Sequence, residues 1–306
     1  MALNEFALAE DITIETDDVQ IVFGEYMWDH TSFRIGGAAA VYVKPLSEEG
    51  LIITLQKCRE QKATYWIFGK GTNILVSDRG LKGVVIDMTG LSGIEAEGNI
   101  LRASAGSALV QLARYAAEHA LSGLEFAAGI PGSLGGGIFM NAGAYGGSMQ
   151  DVVKSVRVLT PEFEIRTIPA EELELSYRHS RFKTSGEIIL SAELALKPGE
   201  PAVIEALMKE YNERRREKQP LEFPSAGSTF KRPEGYFAGK LIEVAGLSGY
   251  QVGQAQVSPK HCGFVVNLGG ASAADVWHLC RDVQAKVKET SGVDLETEVI
   301  FLGDFA

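Results

Sequence analysis

The chain has 306 residues, 45% of them hydrophobic and 23% charged, with a formal net charge of −11. That length sustains a large core divided among two or three substructures, and the composition is that of an ordinary globular protein. The acidic balance speaks against nucleic acid, whose recognition rests on Lys and Arg at phosphates, but leaves room for a small anionic ligand on a local basic patch.

Three cysteines, Cys58, Cys262 and Cys280, are an odd number without CxxC spacing, so neither a disulfide framework nor a zinc site is expected. The five histidines are scattered and no HExxH pattern occurs, so no metal is expected. The N-terminus, MALNEFALAEDITIETDDVQ, lacks the positive region and apolar core of a signal peptide, and no apolar run approaches the ~20 residues of a membrane span. The expectation is a cytoplasmic protein without membrane attachment.

Residues 1–20 read as a loose or helical arm. In HTSFRIGGAAAVYVKP the glycine pair breaks the run, and Ala39 to Val43 reads as a strand stopped before Pro45. Ser47 is placed to cap a helix that carries Glu48 and Glu49 in its first turn and Leu51, Ile52, Leu55 and Cys58 on one face. Tyr65 to Phe68 reads as a strand running into Gly69-Lys70-Gly71-Thr72-Asn73, after which Ile74 to Val76 resumes as a strand. This turn is either a plain hairpin or an anion cradle; it lacks the P-loop and the dinucleotide GxGxxG patterns.

Val84 to Met88 and Ile100 to Ala105 read as further strands. From Ser107 the period changes, and Leu109, Leu112, Ala113, Ala116, Ala117 and Ala120 mark an amphipathic helix. It leads to GIPGSLGGGIFMNAGAYGG, residues 129–147, with eight glycines in nineteen positions. Linkers rich in glycine carry serine and few apolar residues, whereas here Ile130, Leu134, Ile138, Phe139, Met140 and Tyr145 interleave. Glycine permits close backbone approach, and successive free N–H groups form a nest for anionic oxygens. A tight structural turn beside a helix is the alternative.

Val152 to Leu159 and Ile188 to Leu196 read as strands. Between them, Leu175-Ser176-Tyr177-Arg178-His179-Ser180-Arg181-Phe182-Lys183 is either a solvated loop or a clamp for carboxylate or phosphate. A composition shift near Pro198 and Pro201 marks a boundary, followed by a helix with Val203, Ile204, Leu207 and Tyr211 on its apolar side and a basic end. Ser225 to Pro233 is polar and glycine-bearing. Ser272 with Asp275 forms a capping box for a helix burying Val276, Leu279, Cys280, Val283 and Val287. Leu295 to Leu302 reads as a last strand carrying Glu296 and Glu298 on one face. Residues 154–261 hold 16 of the 29 Lys and Arg, so cations concentrate after the second glycine loop. Strands and helices mix without strict alternation, which favours an α+β fold.

Six stretches, TSFRIGG (31–37), GKGTNILV (69–76), GIPGSLGGGIFMNAGAYG (129–146), SYRHSRFK (176–183), AGSTFKRP (226–233) and LETEVIFLG (295–303), stand in order at fitting separations. Together they resemble the UDP-N-acetylenolpyruvoylglucosamine reductase (MurB) family, flavoenzymes of peptidoglycan precursor synthesis also called UDP-N-acetylmuramate dehydrogenases. The resemblance implies an α+β, FAD-binding fold of the vanillyl-alcohol-oxidase type in two subdomains, residues 21–83 and 84–200. An N-terminal arm (1–20) would precede them and an α+β substrate-binding domain (201–306) would follow.

It also implies the chemistry. NADPH would reduce FAD; hydride would pass from N5 to C3 of UDP-N-acetylglucosamine enolpyruvate, and a proton to C2. Ser228 matches the proton donor, Arg178 the residue that stabilises the enolate carboxylate, and Glu298 the catalytic glutamate, with Glu296 its neighbour on the same face. The flavin cradle would comprise Phe68, Gly69, Lys70, Gly71, Thr72, Asn73, Ile74, Leu75, Val76 and Gly106. It would continue through Ile130, Pro131, Gly132, Ser133, Gly135, Gly136, Phe139, Asn141, Ala142 and Gly143, with Arg215 as its basic neighbour. Tyr177, Lys218, Arg232 and Gln254 would meet the substrate.

The chain runs from Phe182 to a strand by Ile188 without the insertion that one subgroup uses to bring a tyrosine over the uracil, so it resembles the shorter subgroup. Arg232 stands where the longer subgroup has asparagine, and Ile300 where many members carry a basic residue. The same resemblance implies a monomer or weak oligomer. Two other readings stand beside this one: a different FAD oxidoreductase of the same fold acting on a sugar or hydroxy acid, and a non-catalytic anion-binding module, which would be colourless.

Overall fold

The computed structural model describes residues 4–305; the first three residues of the expected N-terminal arm lie outside them. The chain divides into two compact units, one of Met1–Val22, Val41–Lys70 and Val84–Arg215, the other of Phe23–Ala40, Gly71–Gly83 and Arg216–Ala306.

The first unit opens with α1 (Glu5–Glu15), whose first turn is capped by the Asn4 side chain accepting from the Ala7 N–H. The expected arm is helical but not loose. Leu8 and Ile12 are fully buried, and Glu15 and Asp11 reach Lys57 of α2 (Glu48–Glu60) and its C-cap Gln61 at 2.5 and 2.7 Å. Strand β1 (Val19–Tyr26) and strand β2 (Ala38–Pro45) precede α2, which Ser47 caps at the Gly50 N–H as its sequence dictates. Strand β3 (Tyr65–Phe68) follows.

Strand β4 (Ile74–Val76) and strand β5 (Leu81–Asp87) come next. β3 pairs in parallel with β5, Phe68 opposite Asp87, while β4 pairs in parallel with Ile300–Leu302. The Gly69–Asn73 turn is therefore not a hairpin connection.

Strands β6 (Ile94–Glu97) and β7 (Ile100–Ser104) begin the main sheet of the first unit. Its order is Ile165–Pro169, Val153–Leu159, Ile188–Ala195, β7, β6, antiparallel throughout. Helix α3 (Leu109–Glu118) buries Leu109, Leu112, Ala113, Ala116 and Ala117, as its period marks out, while Ala120, expected on the same face, lies beyond the helix end at φ +55°.

The glycine stretch holds a short helix, α4 (Leu134–Phe139, sequence LGGGIF), where a loop is expected. Glycine is a poor helix former, so packing supplies the reason. A Cβ on Gly135 would lie 3.1 Å from the Ala105 Cβ, and one on Gly137 3.0 Å from the Leu109 Cδ1. Helix α5 (Pro201–Lys218) starts on proline, whose missing N–H costs nothing in a first turn. Of its expected apolar side only Ile204 is buried, and Val203 is 60% exposed.

The second unit packs α6 (Ala238–Val244) and α7 (Ala273–Ser291) against a meander of Gln251–Val252, Ala255–Val257 and Val265–Asn267. The Ser272–Asp275 capping box forms, the Asp78 carboxylate accepts from the Ala273 and Ala274 N–H groups, and Gly292 closes the helix at φ +72°. All five expected core residues of α7 are buried, its valines and leucine each contributing about 1.5–3 kcal/mol over exposure. The expected last strand is shorter than its pattern. Only Ile300–Leu302 is strand, because residues 296–298 pair instead with Thr229–Lys231 through an isolated Phe230–Thr297 bridge.

Candidate functional site

In the first unit the two glycine turns meet. A Cβ at Gly69 would stand 2.2 Å from the Ser133 Oγ, so only glycine lets β3 end there. Ser133 also caps α4, its Oγ accepting from the Gly136 N–H at 3.4 Å. The Leu134 and Gly135 N–H groups donate to Ser107 and Ala105 carbonyls. The N–H groups of Gly132 and Ser133 have no acceptor among the described residues, although both residues are buried. Buried donors are nearly always paired, so two adjacent amides without acceptors in a glycine turn fit an anionic ligand such as a diphosphate.

A cation stands beside them. A Cβ on Gly129 would lie 2.7 Å from Asn212 Oδ1 and 3.3 Å from Arg215 Nη1, which places both α5 side chains against the start of the loop. Burial holds the Arg215 guanidinium below its usual pKa, partly offset by Tyr145; a desolvated cation is stabilised by an anion nearby. The far end of the loop meets the same helix, with Tyr145 stacked on Tyr211 at 4.6 Å and Arg214 over the Tyr145 ring.

Several expected cradle residues turn their side chains inward. Phe68, Leu75 and Val76 are core residues, and a Cβ on Gly106 would meet the Met88 carbonyl at 2.0 Å. Only backbone remains for a ligand there. Pro131 and Gly136 are exposed, and Lys70 extends into solvent at the mouth of the first turn.

The SYRHSRFK stretch folds as a turn in which the Ser176 and His179 backbones bond each other. Arg178 sits in it at φ +54°, half-buried, with its guanidinium 5.2 Å from the centre of the exposed Tyr177 ring. Arg181, also a candidate cation by charge alone, is held by Glu187 at 3.0 Å.

In the second unit, four stretches that are far apart in sequence converge. Gly71, at φ +59°, admits the His30 carbonyl, which a Cβ would approach to 1.9 Å. The Ser32 N–H donates to the Gly71 carbonyl, and its Oγ donates to the Ser225 carbonyl at 2.6 Å. The Asn73 side chain donates to the Glu298 carbonyl at 3.0 Å, and the Glu298 N–H donates to the Thr229 carbonyl at 2.8 Å. Ser228 and Glu298 therefore stand on adjacent, hydrogen-bonded segments, with the end of the first glycine turn against them. Thr229 is buried, its N–H donating to the Gly263 carbonyl and its Oγ1 accepting from the Val265 N–H.

The other expected substrate contacts lie further out. Lys218 ends α5 in solvent, and Arg232 lies 3.9 Å over the exposed Phe237 ring. Gln254 turns the meander at the Leu268 end, whereas Ser228 bridges Phe264; four residues of extended strand separate these by roughly 13 Å.

Ser32, Ser180 and Asn212 escaped the sequence reading. Each acts through hydrogen bonds or a packing contact set by tertiary approach, and none carries a local pattern. A cavity of about 380 Å³ lies elsewhere in the first unit, beside Ser92, Gln111, Arg114 and Glu118, and neither glycine turn lines it. Among the described residues no group of three or more His, Cys, Asp or Glu is arranged for a metal. Nor is any helix among them long and apolar enough to cross a membrane.

Residues 39–168 match the family model for an FAD binding domain, which contains the glycine loops, α4 and the orphan amides. Residues 219–302 match the model for the C-terminal domain of UDP-N-acetylenolpyruvoylglucosamine reductase.

A protein of that name from Clostridium perfringens is 48% identical over 301 residues, 98% of this chain and 96% of the relative. Another from Agathobacter rectalis is 50% identical over 310 residues, covering 97% and 98%. The crystal structure of the reductase from Thermus caldophilus superposes with a TM-score of 0.80 at 35% identity, over 93% of this chain and 99% of that one. The chain belongs to the UDP-N-acetylenolpyruvoylglucosamine reductase family.

Proposed function

We propose that this protein is an NADPH-dependent flavoenzyme that reduces UDP-N-acetylglucosamine enolpyruvate to UDP-N-acetylmuramate, in the cytoplasm, for peptidoglycan precursors. The observation that carries the reading is the joining of Ser228, Glu298 and Asn73 by the Thr229–Glu298 and Asn73–Glu298 hydrogen bonds. Residues 21–83 and 84–200 serve the flavin and 201–306 the substrate, and the protein works as a monomer or weak oligomer.

The backbone of Gly69 to Val76 and of Ile130 to Gly143 would hold FAD, and the Gly132 and Ser133 amides and the Arg215 guanidinium would offer donors and positive charge to its diphosphate. Bound FAD supplies the hydride chemistry. The protein manages the charge that follows. Reduction at C3 leaves negative charge at C2, spread into the carboxylate, and Arg178 offers that carboxylate a two-pronged donor. Ser228 gives its proton to C2; a serine hydroxyl is a weak acid, adequate against a strongly basic carbon. Glu298 acts at the carboxylate, to which it can donate only in its protonated form, or assists the proton transfer. Tyr177, Lys218, Arg232 and Gln254 bind the remainder of the substrate.

The purified protein is expected to be yellow. In separated half-reactions, Ser228→Ala slows reoxidation of the flavin by the enolpyruvyl substrate by about 10²–10⁴-fold and leaves reduction by NADPH largely intact. Equal loss in both halves removes Ser228 as the acid. An oxidase of the same fold needs a base rather than an acid at this position, and reoxidation by O₂ in place of the enolpyruvyl ether would favour it.

A further inference from the structure

We propose that Asn141 is a positioning residue for Arg178, acting from inside the glycine loop with Ser180 as a second brace; the proposal rests on the reductase reading for the role of Arg178. Arg178 lies at φ +54°, where a long side chain is uncommon and the backbone is strained. Such a conformation persists only where its surroundings over-determine it. The turn itself supplies two bonds, Ser176 N–H to the His179 carbonyl at 3.2 Å and His179 N–H to the Ser176 carbonyl at 3.1 Å. Both flanks are then pinned from the glycine loop. The Asn141 Nδ2 donates to the Ser176 carbonyl at 2.9 Å, and the Ser180 Oγ donates to the Phe139 carbonyl at 2.7 Å.

The orientation of the Asn141 amide follows from its partners. Its Oδ1 accepts from the Gln150 N–H at 3.0 Å, so its Nδ2 faces Ser176 and, at 3.1 Å, the Gln150 Oε1. Both amide protons are thereby used within the protein, and the side chain is buried. Family resemblance puts Asn141 among the cofactor residues, a role open to its backbone; its side chain ties the loop to the arginine turn. Residues 139 and 141 hold 180 and 176 respectively, so cradle and clamp move as one body, and ordering the loop around FAD orders Arg178 as well.

Asn141→Gly isolates this role, since glycine adopts φ +44° freely and only the amide is lost. The first readout is amide hydrogen exchange at His179, which needs no catalysis; it should quicken at least tenfold in the variant. The second is reoxidation of the reduced flavin by UDP-N-acetylglucosamine enolpyruvate, which should slow by about 10–100-fold, the size of a misplaced charge-assisted pair. The third is coupling: added to Arg178→Lys, the glycine substitution should cost less than a further ~3-fold, because residues acting through one group are not additive.

Unchanged exchange at His179 overturns the brace. Losses that multiply in the double variant, or that fall equally on both half-reactions, overturn the positioning role. Should Asn141→Gly not fold, Ser180→Ala is read by the same three measurements, with smaller changes in the same directions. If the unsubstituted protein takes up no FAD or is not reoxidised by this substrate, the reductase reading fails while hydrogen exchange still decides the brace.

Discussion

Glu296 and Glu298 lie two positions apart and look alike by charge, and their neighbours separate them. Lys231 bonds Glu296 at 2.7 Å on the surface and holds its carboxyl below the usual range. Such exposed pairs contribute at most about 1 kcal/mol. Glu298 is partly buried, its N–H on Thr229 and its carbonyl on Asn73. We expect Glu296→Gln to leave turnover within roughly 3-fold and Glu298→Gln to lower it by about 10²-fold or more, measured as steady-state kcat. Comparable losses would reverse the assignment. The strand alternation alone puts both glutamates on one face, and only the resemblance ranked Glu298 first. The lysine that occupies Glu296 comes from a segment 65 residues earlier, a distance no local pattern encodes.

Turns and short helices carry the cradle, and their glycines answer to different neighbours. Gly137 faces a leucine side chain that can shift, whereas Gly71 faces the His30 carbonyl and also lies at φ +59°. Gly71→Ala should therefore lower stability by roughly 1–3 kcal/mol or more, seen as a drop in the thermal midpoint, since both strain and a backbone clash are imposed. A midpoint within a degree of the unsubstituted protein would show that the turn relaxes freely. Elements whose signals are local were legible in advance: the Ser47 and Ser272 caps, the buried face of α7, most of the buried faces of α2 and α3, and the strands before and after the first glycine turn. The elements that differed depend on partners. Residues 296–298 were drawn to Thr229–Lys231 rather than continuing a strand, and α4 formed in glycine where a Cβ would come within 3.1 Å of the Ala105 Cβ and 3.0 Å of the Leu109 side chain.

At the scale of the molecule, each compact unit has its own core and each core holds a thiol, Cys58 in the first and Cys280 in the second. Burial pushes both thiols up to about 12, so almost no thiolate exists at neutral pH. Native protein treated with a thiol reagent at pH 7 should leave both unmodified, and modification under mild denaturant should then report which unit opens first. Rapid labelling of Cys58 or Cys280 in native protein would contradict the buried cores. The pH dependence follows with its sign. Unfolded thiols ionise near 8.5, so the folded pKa is raised; the stabilisation is complete below about pH 8.5 and is lost as pH rises toward 12. Each thiol should then cost roughly 1–2 kcal/mol by pH 10, read from denaturant midpoints.

The sequence by itself determined the α+β class, the caps and buried faces of the long helices, the two glycine turns and the family, because these follow from short-range period, turn chemistry and motif order. Only the tertiary structure decided that the first glycine turn is no hairpin, that the Gly132 and Ser133 amides are left without acceptors, and that Asn141 is spent on Ser176 and Gln150. It also decided that Thr229 and Asn73 bring Ser228 and Glu298 onto adjacent backbone. Each of these is a hydrogen bond made or missing between residues that meet through folding, and a linear pattern holds no record of which groups meet.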